Sequence, residues 1–198
     1  MCRTLSADRT GLARANSDPL LLPVLDLGLL TMPGERAQAR LREAALRDPL
    51  TGAWNRGGLA ALAPRQLRPG NAVLVLDVDH FRGINDRHGH GIGDRVLTAL
   101  VESARTVPPA TGAEIARLGG DEFVMVLPEN SRAEASWLTD EVRHALRRRL
   151  SRMPDLPPCT ISLGVAAIEP GDRDFAQAVE RADGALYRAK AQGRDRVA

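Results

Sequence analysis

The chain has 198 residues, of which 43% are hydrophobic, 26% charged and 3% aromatic, and its net charge is +2. This length is enough for one well-buried domain and a short extra segment. The small net charge and the scarcity of aromatic residues argue against a nucleic-acid partner. A run of arginines over residues 147–152 is interpreted as the solvated end of a helix, where cations suit the dipole.

The first 33 residues show no clear helical or strand period and contain several prolines. We interpret residues 1–33 as an irregular arm whose apolar patch packs either on its own domain or on another protein. Its apolar stretch at 20–30 is shorter than the roughly 20 residues that a membrane span needs, and it lacks a cleavage site. The two isolated cysteines, Cys2 and Cys159, suggest neither a disulfide framework nor a zinc site. The sequence therefore predicts a cytoplasmic protein without a membrane span.

Two helices are predicted before the first strand. An apolar stripe over residues 34–47 predicts a linker helix, which could contact a second subunit or pack on its own domain. The proline-containing segment 48–52 ends this helix, because the residue before a proline avoids the helical region. The next helix is predicted from about Asn55 to Ala63.

The rest of the chain alternates between strand and helix patterns. A continuous aliphatic run at 72–76 predicts a strand buried on both faces, and a later pair of short runs predicts a hairpin. Capping boxes mark the starts of two helices. After the first strand, the predicted order is a helix opened by Gly93 and Asp94, strands at 115–118 and 123–127, a helix capped by Ser131 and Glu134, a strand at 160–168, and a last helix capped by Asp174 and Gln177.

From the first strand onward, the first six elements have the order βαββαβ, the split arrangement of ferredoxin-like folds. The sequence therefore predicts an α+β domain, with a palm-type sheet and helices packed on one of its faces. In this topology the first strand lies beside the hairpin. Residues at the ends of these strands are then expected to face each other.

Four acidic residues occupy these strand ends: Asp77 and Asp79 after the first strand, and Asp121 and Glu122 in the hairpin. Because strand residues alternate faces, Asp77 and Asp79 share a side. Converging carboxylates repel one another unless a cation neutralises them, and Mg²⁺ and Mn²⁺ prefer such oxygen ligands. Any single one of these acids could simply belong to a turn, but the four together favour a metal site near a triphosphate.

Residues on both sides of the predicted metal site could bind a nucleotide. A turn at Phe81 and Arg82 could point backbone N–H groups at phosphates. Asn85 and Asp94 could together read a guanine edge, because a carboxylate can accept from its N1–H and 2-amino groups. The alternatives are that Asn85 is a turn former and Asp94 a helix cap.

Lys190 and Arg194 lie four residues apart near the predicted end of the last helix. They would share one helix face if that helix continued through Gly193, and could then hold phosphates. The alternative is a solvated helix end.

Several motifs of the chain match one known family in the expected order. Residues 119–123 read GGDEF, and the chain resembles the GGDEF diguanylate cyclases over residues 48–198. The other matches are DxLTGLxNR at 48–56, with Ala53 in place of Leu, DxDxFKxxNDxxGHxxGD within 76–94, SxGV at 162–165 and ADxALYxAKxxGRN at 182–195.

The resemblance implies a role for each matching residue. Asp77, Asp121, Glu122 and the carbonyl of Val78 would hold Mg²⁺ or Mn²⁺, with two ions per active site. Asp121 would also be the base for the ribose 3′-hydroxyl. The substrate contacts would be guanine recognition by Asn85 and Asp94, and β- and γ-phosphate binding by Lys190, Arg194 and the Phe81–Arg82 backbone.

The resemblance further implies a homodimer that condenses two GTP molecules into cyclic di-GMP and releases pyrophosphate. A catalytically silent GGDEF module, which binds GTP or a protein partner, is the alternative. The presence of Asp77, Asp121 and Glu122 favours the enzyme. The arm at residues 1–33 could receive a regulatory protein.

The chain departs from the family pattern at three places. Arg82 stands where Lys is usual, and Asp195 stands where Asn is usual. Family members with product inhibition carry RxxD before GGDEF, whereas residues 110–113 of this chain offer neither charge. We therefore expect weak or absent product inhibition at that site.

Overall fold

The computed structural model describes residues 43–106, 112–128 and 132–198, together with residues 38 and 41. The predicted arm, most of the predicted linker helix and the predicted cap Ser131 lie outside the described residues. Within the linker region, residues 43–45 are helical, and Arg47 forms a bridge to Trp54. The chain divides into two compact units, residues 1–44 and 45–198, and the second carries the sheet.

The second unit alternates helices and strands largely as predicted, with ends that differ by a few residues. Asn55 caps the first helix by accepting a hydrogen bond from Gly58 N–H, and Asp174 caps the last by accepting one from Gln177 N–H. No helix in the described part of the chain is long and apolar enough to cross a bilayer. The elements are α1 (Arg56–Gln66), β1 (Ala72–Val78), α2 (Phe81–His88), α3 (His90–Thr106), β2 (Glu114–Gly119), β3 (Glu122–Leu127), α4 (Arg132–Leu150), β4 (Ile161–Ala167) and α5 (Phe175–Ala191).

The four strands form one antiparallel sheet in the order β2-β3-β1-β4. The central strand β1 pairs with β3 on one side and β4 on the other, so Asp77 lies opposite Glu122 and Ser162. The predicted position of the first strand beside the hairpin is therefore confirmed.

The segment after β1 differs from its prediction. Instead of a turn at Phe81, a helix begins there, and a second helix begins at His90 after Gly89, which has a φ of +83°. Gly93 and Asp94 consequently lie inside α3 rather than at its start. The short helix α2 was missed because Ile84 is its only buried residue, so its largely polar sequence shows no apolar period.

Helices cover both faces of the sheet. On one face, α3 and α4 pack against alternate residues of β1 such as Leu74 and Leu76. On the other face, α1 and α5 pack against Val73 and Val75. The two helices of the βαββαβ unit share one face as predicted, but the flanking helices also bury the second face. This double coverage explains why β1 is a continuous aliphatic run.

The glycine in β4 allows α5 to lie directly on the sheet. A Cβ atom at Gly164 would stand 2.0 Å from the carbonyl oxygen of Ala182 and 2.2 Å from the nitrogen of Leu186. Any side chain at this position would therefore push α5 away from β4. The close contact fixes the middle of α5, the helix that carries Lys190, against β4.

Candidate active site

A cleft of about 250 Å³ lies where the end of β1, the β2–β3 hairpin and the end of α5 meet. Seven of the predicted site residues line it, and His80 lines it as well. Glu122, Asn85 and Asp94 do not belong to its lining. The lining residues are Asp77, Val78, His80, Phe81, Arg82, Asp121, Lys190 and Arg194.

Asp77 lies in surroundings that have more negative than positive charge. Its Oδ2 accepts a hydrogen bond from Lys190 Nζ at 2.7 Å. Burial nevertheless raises the pKa of the Asp77 carboxyl, and the charges of Asp121 and Asp79 raise it further, against the opposing effect of Lys190. A carboxylate in this situation is stabilised by an added cation.

Asp79 follows the end of β1, and its hydrogen-bond partners all come from the protein itself. Its side chain accepts hydrogen bonds from Thr160 Oγ1 at 2.6 Å, Ser162 Oγ at 2.7 Å and the backbone N–H of Asp195 at 3.1 Å. Only 4% of the residue is exposed. Asp79 therefore joins β1 to the start of β4 and to the C-terminal segment, and does not line the cleft.

Arg117, which the sequence reasoning missed, holds the signature hairpin. Its Nε and Nη2 donate to the carbonyl oxygen of Gly120 at 2.9 and 2.8 Å, and its Nη1 donates to the Asp48 carboxylate at 3.2 Å. Asp48 also accepts from the backbone and hydroxyl of Thr51. Burial opposes the charge of Asp48, but the contacts with Thr51 and Arg117 lower its pKa overall. A basic residue inside an otherwise apolar strand, two residues before GG, was the available signal.

The predicted metal-site acids are brought together only in part. Asp77 and Asp121 line the same cleft, whereas Glu122 lines the neighbouring groove between α1 and α5. Within residues 43–106, 112–128 and 132–198, no group of three or more His, Cys, Asp or Glu side chains could hold a metal ion. The donors that share the cleft are two carboxylates and the backbone of Val78. Hard oxygen donors of this kind, with the charge excess at Asp77, fit Mg²⁺ or Mn²⁺.

The condition for a shared helix face of Lys190 and Arg194, a helix that continues through Gly193, is not met. The helix ends at Ala191, and Gly193 takes a left-handed conformation with a φ of +113°. Gly193 N–H donates to the Lys190 carbonyl and Arg194 N–H to the Ala189 carbonyl, which is the Schellman pattern. This turn, rather than a shared helix face, brings Arg194 into the cleft beside Lys190.

The N-terminus of α2 also lines the cleft, through Phe81 and Arg82. The first N–H groups of a helix, here those of Phe81 and Arg82, have no partner within the helix and favour anions. The Arg82 side chain is 95% exposed, and its Nε lies 3.8 Å from Asp86 Oδ2. His80 precedes the helix with a φ of +58°. No motif or period pointed to His80 in the sequence.

Asn85 and Asp94 lie beside the cleft, where α2 meets α3. Asn85 is one turn after Phe81 on α2, so both side chains are on one face. Among the described residues, its buried Oδ1 has no hydrogen-bond partner. This oxygen lies where a Cβ at Gly93 would come within 2.0 Å, so only glycine leaves room for it. Asp94, the next residue, is exposed.

Two sequence expectations concern residues outside the cleft. Cys159 is a free thiol, and burial, followed by the charge of Asp79, raises its pKa to about 12. It is therefore not a nucleophile at neutral pH, while Cys2 lies outside the described residues. Residues 110 and 111 of the segment expected to lack product inhibition also lie outside them, so that expectation stays a prediction.

The family model for the diguanylate cyclase GGDEF domain matches residues 45–196. The chain belongs to the GGDEF family of diguanylate cyclases. The chain is 40% identical over 163 residues to the diguanylate cyclase DgcP of Pseudomonas aeruginosa, a match that covers 79% of this chain and 24% of DgcP. The chain spans about a quarter to two fifths of the length of such curated relatives.

Solved structures give the same family and fold. The coiled coil and GGDEF domain of DgcB from Caulobacter crescentus, in complex with c-di-GMP, matches with a TM-score of 0.77 and 30% identity, over 90% of this chain and 97% of that one. The diguanylate cyclase SiaD of Pseudomonas aeruginosa, in complex with its activator SiaC, matches with a TM-score of 0.72 and 30% identity, over 92% and 75% of the two chains. The predicted family and palm-type α+β fold are confirmed.

Proposed function

We propose that this GGDEF domain condenses two GTP molecules into cyclic di-GMP. The observation that carries the proposal is one cleft in which two carboxylates, Asp77 and Asp121, lie beside two cations, Lys190 and Arg194. A triphosphate bound with a divalent metal has the matching distribution of charge. The N-terminus of α2 adds a further anion-binding element to the lining of the cleft.

The metal-binding role belongs to the acids at the end of β1 and in the hairpin. Asp77, Asp121 and the carbonyl of Val78 would hold Mg²⁺ or Mn²⁺, with Glu122 supporting them from β3 and two ions expected per site. When bound, the metal would neutralise phosphate charge and stabilise the charge that develops at the α-phosphate. Lys190 could then exchange its contact with Asp77 for a phosphate oxygen.

The cationic end of the cleft would bind the β- and γ-phosphates. Lys190 and Arg194 supply two positive charges, and the backbone N–H groups of Phe81 and Arg82 supply hydrogen bonds. These contacts favour departure of pyrophosphate, because they stabilise the negative charge that it gains. Asn85 and Asp94, at the junction of α2 and α3, would recognise guanine, which the unpaired amide oxygen of Asn85 supports.

The chemistry requires two GTP molecules and therefore two domains. The 3′-oxygen of one GTP forms a bond to the α-phosphorus of the other, while the bond from that phosphorus to pyrophosphate breaks. The 3′-hydroxyl proton passes to Asp121, and the same step in the opposite direction closes the ring. Each subunit of a homodimer would present one GTP, so positioning supplies much of the catalysis.

A silent module that binds GTP or a protein partner is the second candidate. Asp77 and Asp121 are both present in the cleft, which favours the enzyme. A regulatory protein could act through the arm at residues 1–33, since the similar protein SiaD was solved with an activator. This regulatory role and the catalytic role do not exclude each other.

The decisive assay is incubation of the purified chain with GTP and Mg²⁺, followed by detection of cyclic di-GMP by mass. We expect product and pyrophosphate, neither of which forms in a parallel reaction with excess chelator. GTP binding without product in a sample shown to be dimeric by sedimentation would support the silent module instead.

Guanine recognition is tested by titrating GTP and ATP into the chain with calorimetry. We expect GTP to bind at least about tenfold more tightly than ATP. Adenine lacks the N1–H and 2-amino groups, from which Asp94 would accept hydrogen bonds. Asn85→Ala should reduce the difference between the nucleotides. Equal binding of GTP and ATP by the wild type would contradict the assignment of Asn85 and Asp94.

A further inference from the structure

Arg194 and Asp195 adopt an unusual backbone conformation. Their φ angles are +64° and +49°, so two consecutive residues that are not glycine lie in the left-handed region. This conformation is unfavourable for residues other than glycine, and it persists only where the surrounding structure fixes it. Arg194 also lines the cleft. The contacts that hold this pair therefore bear on the phosphate site.

Asp195 is held by two arginines of α4. Its Oδ1 accepts from Arg143 Nη2 at 3.0 Å and Nε at 3.3 Å, and its Oδ2 accepts from Arg147 Nη2. The carbonyl oxygen of Asp195 also accepts from Arg143. On the other side, its backbone N–H donates to the buried Asp79. We call these four residues, Arg143, Arg147, Asp195 and Asp79, the Asp195 latch.

The latch is well enough buried to have an energetic effect. The Arg143 side chain is 15% exposed, so solvent screens its ion pair with Asp195 only in part. Burial disfavours the guanidinium charge, but hydrogen bonds with Asp195 and Asp140 outweigh it and raise the pKa of Arg143. The arginine run is therefore more than the solvated helix end that was predicted, since Arg147 contacts Asp195.

The chain on both sides of the latch is also fixed. Before it, the Schellman turn ties Arg194 N–H to the carbonyl of Ala189. After it, Leu163 of β4 donates to the carbonyl of Arg196 at 2.9 Å and accepts from Ala198 N–H at 3.1 Å. The C-terminal residues thus extend the edge of the sheet. Arg194 lies between these two fixed segments and lines the cleft.

We propose that the Asp195 latch is a positioning device for substrate, in which Arg143 and Arg147 hold Asp195 and thereby keep Arg194 directed at the GTP phosphates. The proposal rests on the phosphate-binding role proposed above for Arg194. Neither Arg143 nor Arg147 lines the cleft, so both act through Asp195 and not by touching the nucleotide.

A double-mutant cycle tests the latch. The full chain is prepared as wild type, Arg143→Met, Arg194→Ala and the double variant, and GTP affinity is measured by calorimetry with Ca²⁺ in place of Mg²⁺. We expect Arg143→Met to weaken GTP binding about tenfold in the wild type, and to have no further effect in the Arg194→Ala background. A general structural effect of Arg143 would appear in both backgrounds.

The matched control is Arg148→Met on the same helix. Arg148 is 59% exposed and lies 3.5 Å from Glu141, away from the latch, so its loss should leave GTP affinity unchanged. If Arg143→Met fails to fold, the cycle is run with Asp195→Ala. Asp195→Asn should be milder than Asp195→Ala, because Asn tolerates the left-handed region and still accepts from Arg143.

The outcomes separate the latch from the proposed function. Weakening by Arg143→Met of equal size in both backgrounds, or none in either, would overturn the latch while GTP binding by the wild type still stood. No GTP binding by the wild type, or full binding by Arg194→Ala, would instead contradict the proposed phosphate site and the latch with it. Thermal unfolding of every variant shows whether a lost affinity reflects a lost fold.

Discussion

Asp77 and Asp79 lie two residues apart at the end of β1, yet their surroundings are opposite. Asp79 is almost completely buried and accepts from two hydroxyls and a backbone N–H, all supplied by the chain. Asp77 has 19% of its side chain exposed, one lysine as its partner, and Asp121 nearby as a second negative charge. A carboxylate whose acceptor sites are filled holds the fold together. One left with uncompensated charge at the edge of a cleft is available to a ligand.

The largest effect expected from this difference is on turnover. Asp121→Ala should lower the rate of cyclic di-GMP formation at least about 100-fold, because the cleft loses a metal-binding carboxylate and the proposed base. The melting temperature should change little, since Asp121 lies in a hairpin turn. Initial rates measured by chromatography and thermal unfolding check both parts. Asp86→Ala, an exposed acid on α2, is the control, and a rate near wild type for Asp121→Ala would refute the assignment.

Asp79→Ala should show the reverse pattern, with a large loss of stability. Its removal leaves the hydroxyls of Thr160 and Ser162 and the N–H of Asp195 without their acceptor. Buried groups left unpaired cost about 1–3 kcal/mol each, so we expect a loss of about 3 kcal/mol in the free energy of unfolding. Urea unfolding of this variant beside Asp121→Ala measures the contrast. Equal stability of the two variants would show that Asp79 is not the structural acid.

The stabilisation by metal that depends on Asp77 should be a smaller effect than the loss of stability in Asp79→Ala. Mg²⁺ at tenfold above its dissociation constant stabilises a folded protein by about 1.4 kcal/mol. We expect such a rise for the wild type in thermal unfolding, and its loss in Asp77→Asn. Asp86→Asn should respond like the wild type. The same rise in Asp77→Asn would place the metal elsewhere.

The sequence predicted the acids of the cleft better than the contacts that organise them. The strand that ends at Asp77 and the hairpin at Asp121 follow from apolar runs and turn residues, which are local signals. The contact of Arg143 with Asp195 joins residues 52 positions apart, so no local period reports it. The brace of Arg117 on Asp48 spans 69 positions and was missed for the same reason. Local patterns place strand ends, whereas ion pairs depend on how the elements pack.

The smallest expected effect is a pH dependence of stability that belongs to Asp77. Its pKa is raised in the folded protein, first by burial and then by Asp121 and Asp79. Protonated Asp77 therefore stabilises the folded protein. This contribution is complete below the pKa of Asp77 in the unfolded chain, near 3.9, and is lost as the pH rises through its pKa in the folded protein. Metal-free wild type should thus lose stability relative to Asp77→Asn as the pH rises above about 4.

Chelator-treated protein, unfolded with urea at several pH values, provides this measurement. Saturating Mg²⁺ should remove the difference or reverse it, because a metal favours ionised Asp77 and binds the wild type alone. Asp86→Asn, whose acid is exposed, should follow the wild type at every pH. If metal-free wild type instead gained stability over Asp77→Asn as the pH rose, Lys190 would already neutralise Asp77. Asp77 and Asp79 would then differ only in their exposure to solvent.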